Sequence, residues 1–307
     1  MENEDYTLGI DFGTTFSCMG VWENGSVRII PNEINGRITP SVVIFDNAGK
    51  IYVGEETINK VWKEDTIKIY EIKRLIGKKY SEVEDIINYF SYKVIKGKED
   101  EILINMEFNN KKKIIKSPVE IAYLIFNKLI TNAKRFLNKD INQVIITVPA
   151  DFCDRQRDAI KSAAEMVKGI KVKKVINEPS AAVLSYGFPK KFMKKDKKIL
   201  NNEIPNDKKD TIIHPMEEVF LTENIENKDD NADNEQTTSF KSPEEDLKII
   251  VFDLGGGTYD VSLIEYGQSI FETLASAGNS RLGGGDFDNR LMEHCLNEFC
   301  NKNKDKN

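Results

Sequence analysis

Ten residues near the end of the chain, Val251-Phe252-Asp253-Leu254-Gly255-Gly256-Gly257-Thr258-Tyr259-Asp260, leave few choices for the fold around them. The apolar run at 247–252 predicts a buried strand, three successive glycines predict a tight turn, and the alternation over 259–264 predicts a strand running back. Residues without Cβ let backbone N–H groups approach a ligand closely, and several such donors in one turn form a concave anion site. Asp253 and Asp260 at the rims would repel a bare phosphate, so the pattern makes sense with a divalent cation between them. The ligand it predicts is a metal-bound polyphosphate.

A second copy lies near the start. Thr7-Leu8-Gly9-Ile10-Asp11-Phe12-Gly13-Thr14-Thr15-Phe16 repeats the order of apolar strand, aspartate, glycine and small residues. Placing Asp11 on Asp253 puts Gly13 on Gly255, Glu23 on Glu265 and Gly25 on Gly267 without a gap. The register points to an internal duplication, in which two hairpins hold one phosphate chain from opposite sides of a cleft. Each alone also reads as an ordinary hairpin with turn glycines.

At 307 residues, 40% hydrophobic and 31% charged, the chain has the composition of a globular protein of roughly two domains. Its net charge of −6 argues against direct nucleic-acid binding as its main task. No run of about 18 apolar residues exists and the first residues are acidic, so neither a membrane span nor a secretory signal is expected, and the cytoplasm is the default location. Cys18, Cys153, Cys295 and Cys300 form no CxxC pair, and only Cys295 neighbours a histidine, His294; reduced structural thiols fit this spacing. With His214 as the other histidine, a nucleophile–histidine triad has little to draw on.

Along the chain, Asn24-Gly25 predicts a hairpin that extends the first one into a meander. Residues 54–62 and 72–77 read as short helices, and 80–115 carries short alternating runs suited to a small satellite sheet. Ser117-Pro118-Val119-Glu120 offers a cap, a proline at the first helical position and a capping-box glutamate, predicting a helix to about residue 137. The apolar strand 143–148, typical of burial on both faces, is followed by a helix at 154–167, a strand at 172–177 and a helix from Glu178. Such alternation requires parallel pairing, hence an α/β architecture. Glu178 lies at a strand end, where open α/β sheets place ligands, although a carboxylate at a helix start is also ordinary dipole stabilisation. Residues 190–246 hold a lysine-rich block and an acidic block with few apolar side chains, and read as a disordered insert. Gly283-Gly284-Gly285-Asp286 then opens a helix, a geometry that suits an anion or simply feeds a cap.

Six of these runs together resemble the seventy-kilodalton heat-shock chaperones (DnaK-like): residues 9–17, Lys73-Arg74-Leu75-Ile76-Gly77, 146–150, Asn177-Glu178-Pro179-Ser180-Ala181-Ala182, 252–258 and Leu282-Gly283-Gly284. The resemblance implies a duplicated ribonuclease-H-like, actin-like ATPase fold. Its first lobe would occupy 1–189, with a satellite subdomain at about 40–116, and a truncated second lobe would begin at 247–307. It implies ATP or ADP with Mg2+ in the cleft. Gly13, Thr14, Thr15, Phe16, Gly255, Gly256, Gly257, Thr258, Gly283 and Gly284 would contact the nucleotide, and Asp11, Asp253 and Asp260 would hold the metal through water. Lys73, Glu178, Asp11, Asp253 and Thr258 would form the catalytic group. Pro149 with Arg157 would relay nucleotide state to a peptide-binding domain for unfolded clients, in concert with J-domain co-chaperones and nucleotide exchange factors.

The chain departs from the family at Gly285, where an acidic residue is usual, and at Lys174, where an arginine meets J-domain partners. By resemblance, the ATPase region runs on well past residue 307 to the adenine and ribose contacts, so this piece is expected to bind ATP weakly or not at all. Residues 148–152 and 178–187 are similar to the atypical ribosome-associated branch, which keeps open a non-catalytic reading with nucleotide as structural ligand. A sugar or acetate kinase of the same superfamily would share the hairpins but lack the runs at Lys73 and Asn177.

Overall fold

The structure, a computed structural model, describes residues 6–58, 60–185, 219–221, 247–267 and 270–303. β1 (Tyr6–Asp11), β2 (Phe16–Glu23) and β3 (Ser26–Ile29) form the expected meander. At the β2–β3 turn Asn24 (φ 52°) and Gly25 (φ 76°) adopt the left-handed pair that a tight two-residue hairpin needs. β4 (Thr39–Pro40) pairs with the start of β2. The satellite region then builds two small antiparallel sheets. One contains β5 (Val43–Asp46), β6 (Ile51–Val53) and β7 (Thr66–Ile69); the other contains β8 (Lys93–Lys96), β9 (Ile102–Glu107) and β10 (Lys113–Lys116).

Two short helices expected here are shorter still. Among the described residues of 54–62 only Gly54–Thr57 is helical, as one 3-10 turn, and Trp62 donates its indole N–H back to the Thr57 carbonyl at 3.1 Å. Of 72–77 only Ile72–Arg74 is helical, and Gly77 ends the segment at φ 71°.

α1 (Pro118–Leu137) begins as its sequence dictates. Ser117 Oγ accepts the Glu120 amide, the Glu120 carboxylate accepts the Ser117 amide at 2.8 Å, and Pro118 fills the first position. Its apolar face, Ile121, Ile125, Leu129 and Ala133, is sealed against the sheet, and Phe126 stacks on Phe12 at 4.6 Å. Fully burying such a side chain contributes about 1.5–3 kcal/mol. β11 (Ile141–Val148), α2 (Asp154–Glu165), β12 (Lys171–Asn177) and α3 (Glu178–Ser185) follow. β1, β11 and β12 pair in parallel, giving the order β12-β11-β1-β2-β3.

β11 corrects one expectation. Val144, Ile146 and Val148 are sealed, whereas Ile145 and Thr147 are half-buried. Their face of the sheet carries Asp11, whose Oδ1 accepts the Thr147 hydroxyl at 2.8 Å, and a face that carries a polar site is not closed by a helix.

The second sheet is antiparallel throughout, with β13 (Val219–Leu221), β14 (Leu247–Leu254), β15 (Tyr259–Gly267) and β16 (Ile270–Asn279) in that order, followed by α4 (Gly284–Lys302). β13 falls inside the stretch read as a disordered insert; otherwise 190–246 lies outside the described residues. Val183 of α3 shares a small core with Ile249, Val251 and Ile264, so one helix packs the two sheets together. The architecture is mixed α/β, consistent with an actin-like ATPase fold. No helix among the described residues is long and apolar enough to cross a membrane.

Candidate functional site

The two hairpins repeat each other in hydrogen-bond register. Asp11 at the end of β1 lies opposite Cys18, and Asp253 near the end of β14 lies opposite Asp260, seven residues on in each case. The second acidic residue of the C-terminal hairpin therefore has a thiol as its N-terminal counterpart.

The two turns face one another. A Cβ added to Gly256 would collide with Thr15 Oγ1 and lie 3.6 Å from the Thr15 amide nitrogen; one added to Gly257 would lie 2.7 Å from Thr14 Cγ2. The threonine side chains of the first turn thus occupy the space that a side chain at Gly256 or Gly257 would need. Gly13 is held from behind, its carbonyl accepting the Ser41 hydroxyl at 2.8 Å. Gly255 N–H donates to the Thr258 carbonyl at 2.9 Å, closing the second turn. The third glycine run joins the same group: Gly284 N–H and Gly285 N–H donate to the carbonyls of Gly255 and Gly256, both at 2.9 Å. Thr14 is buried while Thr15 and Phe16 are exposed, Phe16 pairing with Pro40 at the start of β2.

Charged groups surround this meeting point. The buried Lys73 donates to Glu178 Oε1 at 2.5 Å. Burial pushes the Glu178 carboxyl up to about 7; Lys73 pulls the other way, and Asp11 and Asp253 add to the rise. Asp253 is likewise raised, by burial and then by Asp11, with Lys73 opposing. Asp260, only 2% exposed, is raised to about 6 by burial, Asp151 and Asp253, and its Oδ2 has no hydrogen-bond partner. Four carboxylates thus share a region with one ammonium, an arrangement that a cation relieves. No three acidic or thiol groups converge closely enough to hold a metal directly among the described residues.

Pro149 and Arg157, the residues expected to act as a relay, are in hydrogen-bond contact. Arg157 donates to the carbonyls of Phe152 (2.8 Å), Ala150 (3.3 Å) and Pro149 (3.5 Å) and to Asn177 Oδ1 (2.8 Å). It ties the loop after β11 to the residue before Glu178, and Lys73 sits 6.0 Å over the Phe152 ring of that loop. Lys174 lies on the outer side, where with Lys161, Lys173 and Arg157 it lines an open groove of about 490 Å³.

Sequence reasoning missed Arg74. It is buried, bonds Asp286 through NH1–Oδ1 at 3.1 Å and NH2–Oδ2, and pairs through Nε with Glu71 at 3.3 Å. Its Nε lies 2.7 Å from where a Gly257 Cβ would be. Two adjacent cations at 73 and 74 were the available signal. The structure also accounts for Gly285: a Cβ there would lie 2.5 Å from Glu71 Oε1, a space a larger residue could enter only by displacing Glu71. Thr147 and Asp151 were likewise not picked out as site neighbours.

Comparison with known proteins bears on the same residues. A family model described as Hsp70 protein matches residues 7–206 and 234–306. The chain is 36% identical over 301 residues to heat shock cognate 70 kDa protein 3 of Dictyostelium discoideum, covering 97% of this chain and 40% of that protein. It is 33% identical over 299 residues to heat shock 70 kDa protein 2 of Paracoccidioides lutzii, covering 97% and 37%. It is 34% identical over 292 residues to the chaperone protein DnaK of Akkermansia muciniphila, covering 95% and 37%. The chain spans about two fifths of the length of these relatives. The matched span carries both hairpins, the Lys73–Glu178 pair and the third glycine run, and the chain belongs to the Hsp70 family.

Proposed function

We propose that this chain is nucleotide-binding machinery of a chaperone ATPase, taking ATP or ADP with Mg2+ by its polyphosphate end between the two hairpin turns. The observation that carries the reading is the approach of Gly256 to Thr15, which sets two donor-rich glycine turns face to face beside the Lys73–Glu178 pair. The equal registers at Asp11 and Asp253 support the duplicated ribonuclease-H-like reading. In this reading residues 1–189 form the first lobe and 247–307 the start of the second.

The site residues divide the work by chemistry. The amides of the Gly13–Thr15 turn and of Gly256, Gly257, Thr258 and Gly283 suit phosphate oxygens, while those of Gly255 and Gly284 brace the loops. Asp11, Asp253 and Asp260 would hold Mg2+ through water, and the bound ion would neutralise charge on the phosphates. Lys73 places a cation where charge develops in phosphoryl transfer, the chief lever available to such an enzyme. Glu178 keeps Lys73 oriented and is poised to accept or hold a proton near neutral pH. Arg157 would carry loop position outward, and coupling to unfolded polypeptides, J-domain co-chaperones and exchange factors would belong to the whole protein.

Calorimetry with ATP, ADP and inorganic tripolyphosphate tests the reading. All contacts assigned here are to the polyphosphate end, so ATP and tripolyphosphate should bind with similar, weak affinity that depends on Mg2+ and is lost in Asp253→Asn. Tight ATP binding with no response to tripolyphosphate would refute the polyphosphate assignment. Single-turnover hydrolysis lost in Lys73→Ala with binding retained would establish catalysis. Binding without turnover in the unmodified protein would make the nucleotide a structural ligand.

A further inference from the structure

Arg281 sits in the turn between β16 and α4, two residues before Gly283. The turn is braced internally, with Arg281 N–H donating to Asn279 Oδ1 at 2.9 Å and Leu282 N–H to the Asn279 carbonyl at 3.2 Å. The Arg281 guanidinium leaves the turn. NH1 bonds Asp85 Oδ2 and NH2 bonds the Glu82 carbonyl at 3.3 Å, both in a loop 196 and 199 residues earlier in the chain. That loop is anchored from its other side by Arg155 of α2. Its NH2 alone donates to both Glu82 carboxylate oxygens, at 2.9 and 2.6 Å, and its Nε donates to the Gly77 carbonyl at 2.5 Å.

These contacts close a ring around the candidate site. It runs from α2 through Arg155 to the 77–85 loop, through Arg281 to the turn at 279–282, and through Gly284 and Gly285 to Gly255 and Gly256. From there it passes to Thr15, in the turn between β1 and β2. The buried Arg74–Asp286 pair spans the same gap in the opposite sense, with its arginine in the N-terminal half and its acid in the C-terminal half. Arg281 and Asp85 are about half exposed, at 51% and 52%, so their attraction adds little to global stability. What the pair sets is position.

We propose that Arg281 is a positioning residue that, by strapping its turn to Asp85 and the Glu82 carbonyl, holds the Gly283–Gly285 run and the second glycine turn against the first. The ligand that benefits is the polyphosphate of the function proposed above. The strap is testable without nucleotide.

Hydrogen exchange at the Gly284 and Gly285 amides of the nucleotide-free chain reads the strap directly, because both amides are bonded to the second glycine turn. Arg281→Gln and Asp85→Asn should each speed exchange at these two amides by about two- to fivefold, the effect of losing one exposed ion pair. The double variant should do no more than either single one. The urea midpoint should stay put, showing that each variant folds. The difference from the unmodified chain should vanish at about 1 M salt, where the screening length falls to about 3 Å. Unchanged exchange in Arg281→Gln, or an effect that survives high salt, would overturn the proposal. Because no nucleotide enters the assay, failure here leaves the polyphosphate reading intact, and failure of polyphosphate binding leaves the strap.

Discussion

Lys73 Nζ lies 2.5 Å from Glu178 Oε1, joining a helical turn of the satellite region to the first residue of α3 across 105 residues of chain. Both side chains are largely withdrawn from water, at 4% and 15% exposure, so neither tolerates losing the other. Breaking a buried pair by deleting one member costs roughly 3–5 kcal/mol when the survivor stays charged. Glu178 can escape by taking a proton. Lys73→Ala should therefore destabilise the chain clearly at pH 8 and much less at pH 5.5, and Glu178→Gln added to it should restore most of the loss at pH 8. Urea unfolding at the two pH values checks this, and equal losses at both would contradict a pair buried as described.

Stability should also run against the usual acidic trend. Glu178 is raised from 4.5 to about 7 and Asp260 from 3.8 to about 6, with Asp253 raised as well. A carboxyl whose pKa is higher folded than unfolded binds its proton more tightly in the folded chain. Its contribution is present below the unfolded value and is lost as pH rises through the folded one. The nucleotide-free chain should lose stability between about pH 4 and pH 7, by on the order of 1 kcal/mol or more for each of Glu178 and Asp260. Asp260→Asn should flatten the part of the profile below pH 6. Urea midpoints that climb steadily across this range would show that the carboxylates are not crowded as found.

The glycines differ in what a methyl group would meet. At Gly255 the nearest atom to an added Cβ is the Thr258 carbonyl oxygen at 3.6 Å, an ordinary contact. At Gly283 an added Cβ would collide with Gly257 N and lie 2.6 Å from both Gly256 C and Gly257 Cα, all backbone that cannot rotate away. Gly255→Ala should fold and bind polyphosphate nearly as the unmodified chain does. Gly283→Ala should separate the two loops and cut binding at least tenfold, with a stability loss of about 1–3 kcal/mol from overpacking. Calorimetry and urea unfolding on the two variants would measure the contrast.

Arg74 should not accept lysine. Its guanidinium serves both oxygens of Asp286 and also pairs with Glu71, while a lysine offers one compact charge without the planar fork. Arg74→Lys should cost about 1–3 kcal/mol, as expected when a buried charged hydrogen bond is left unmade. A thermal midpoint equal to that of the unmodified chain would show that Asp286 finds another partner.

Much of this arrangement was written in local patterns. The cap at Ser117 and Pro118, the Asn24-Gly25 turn and the parallel alternation over 141–185 depend on neighbours within a few residues, and they form where expected. The 54–62 segment instead keeps one 3-10 turn, with the Trp62 indole bonded back to the Thr57 carbonyl, a contact that helical propensity does not foretell. Arg74–Asp286 and Arg281–Asp85 were invisible because their partners lie about 200 residues apart and only folding brings them together.

The order of residues alone determined the two glycine hairpins, their common register, the α/β alternation and the family, since each depends on short-range backbone preference or on motif spacing. The tertiary fold decided which charges meet: that Lys73 is neutralised by Glu178, that Asp260 is left with an unpartnered oxygen, and that Arg74 turns to Asp286. Charge pairing inside a protein is governed by distance and burial, and neither exists until the two sheets have packed against each other.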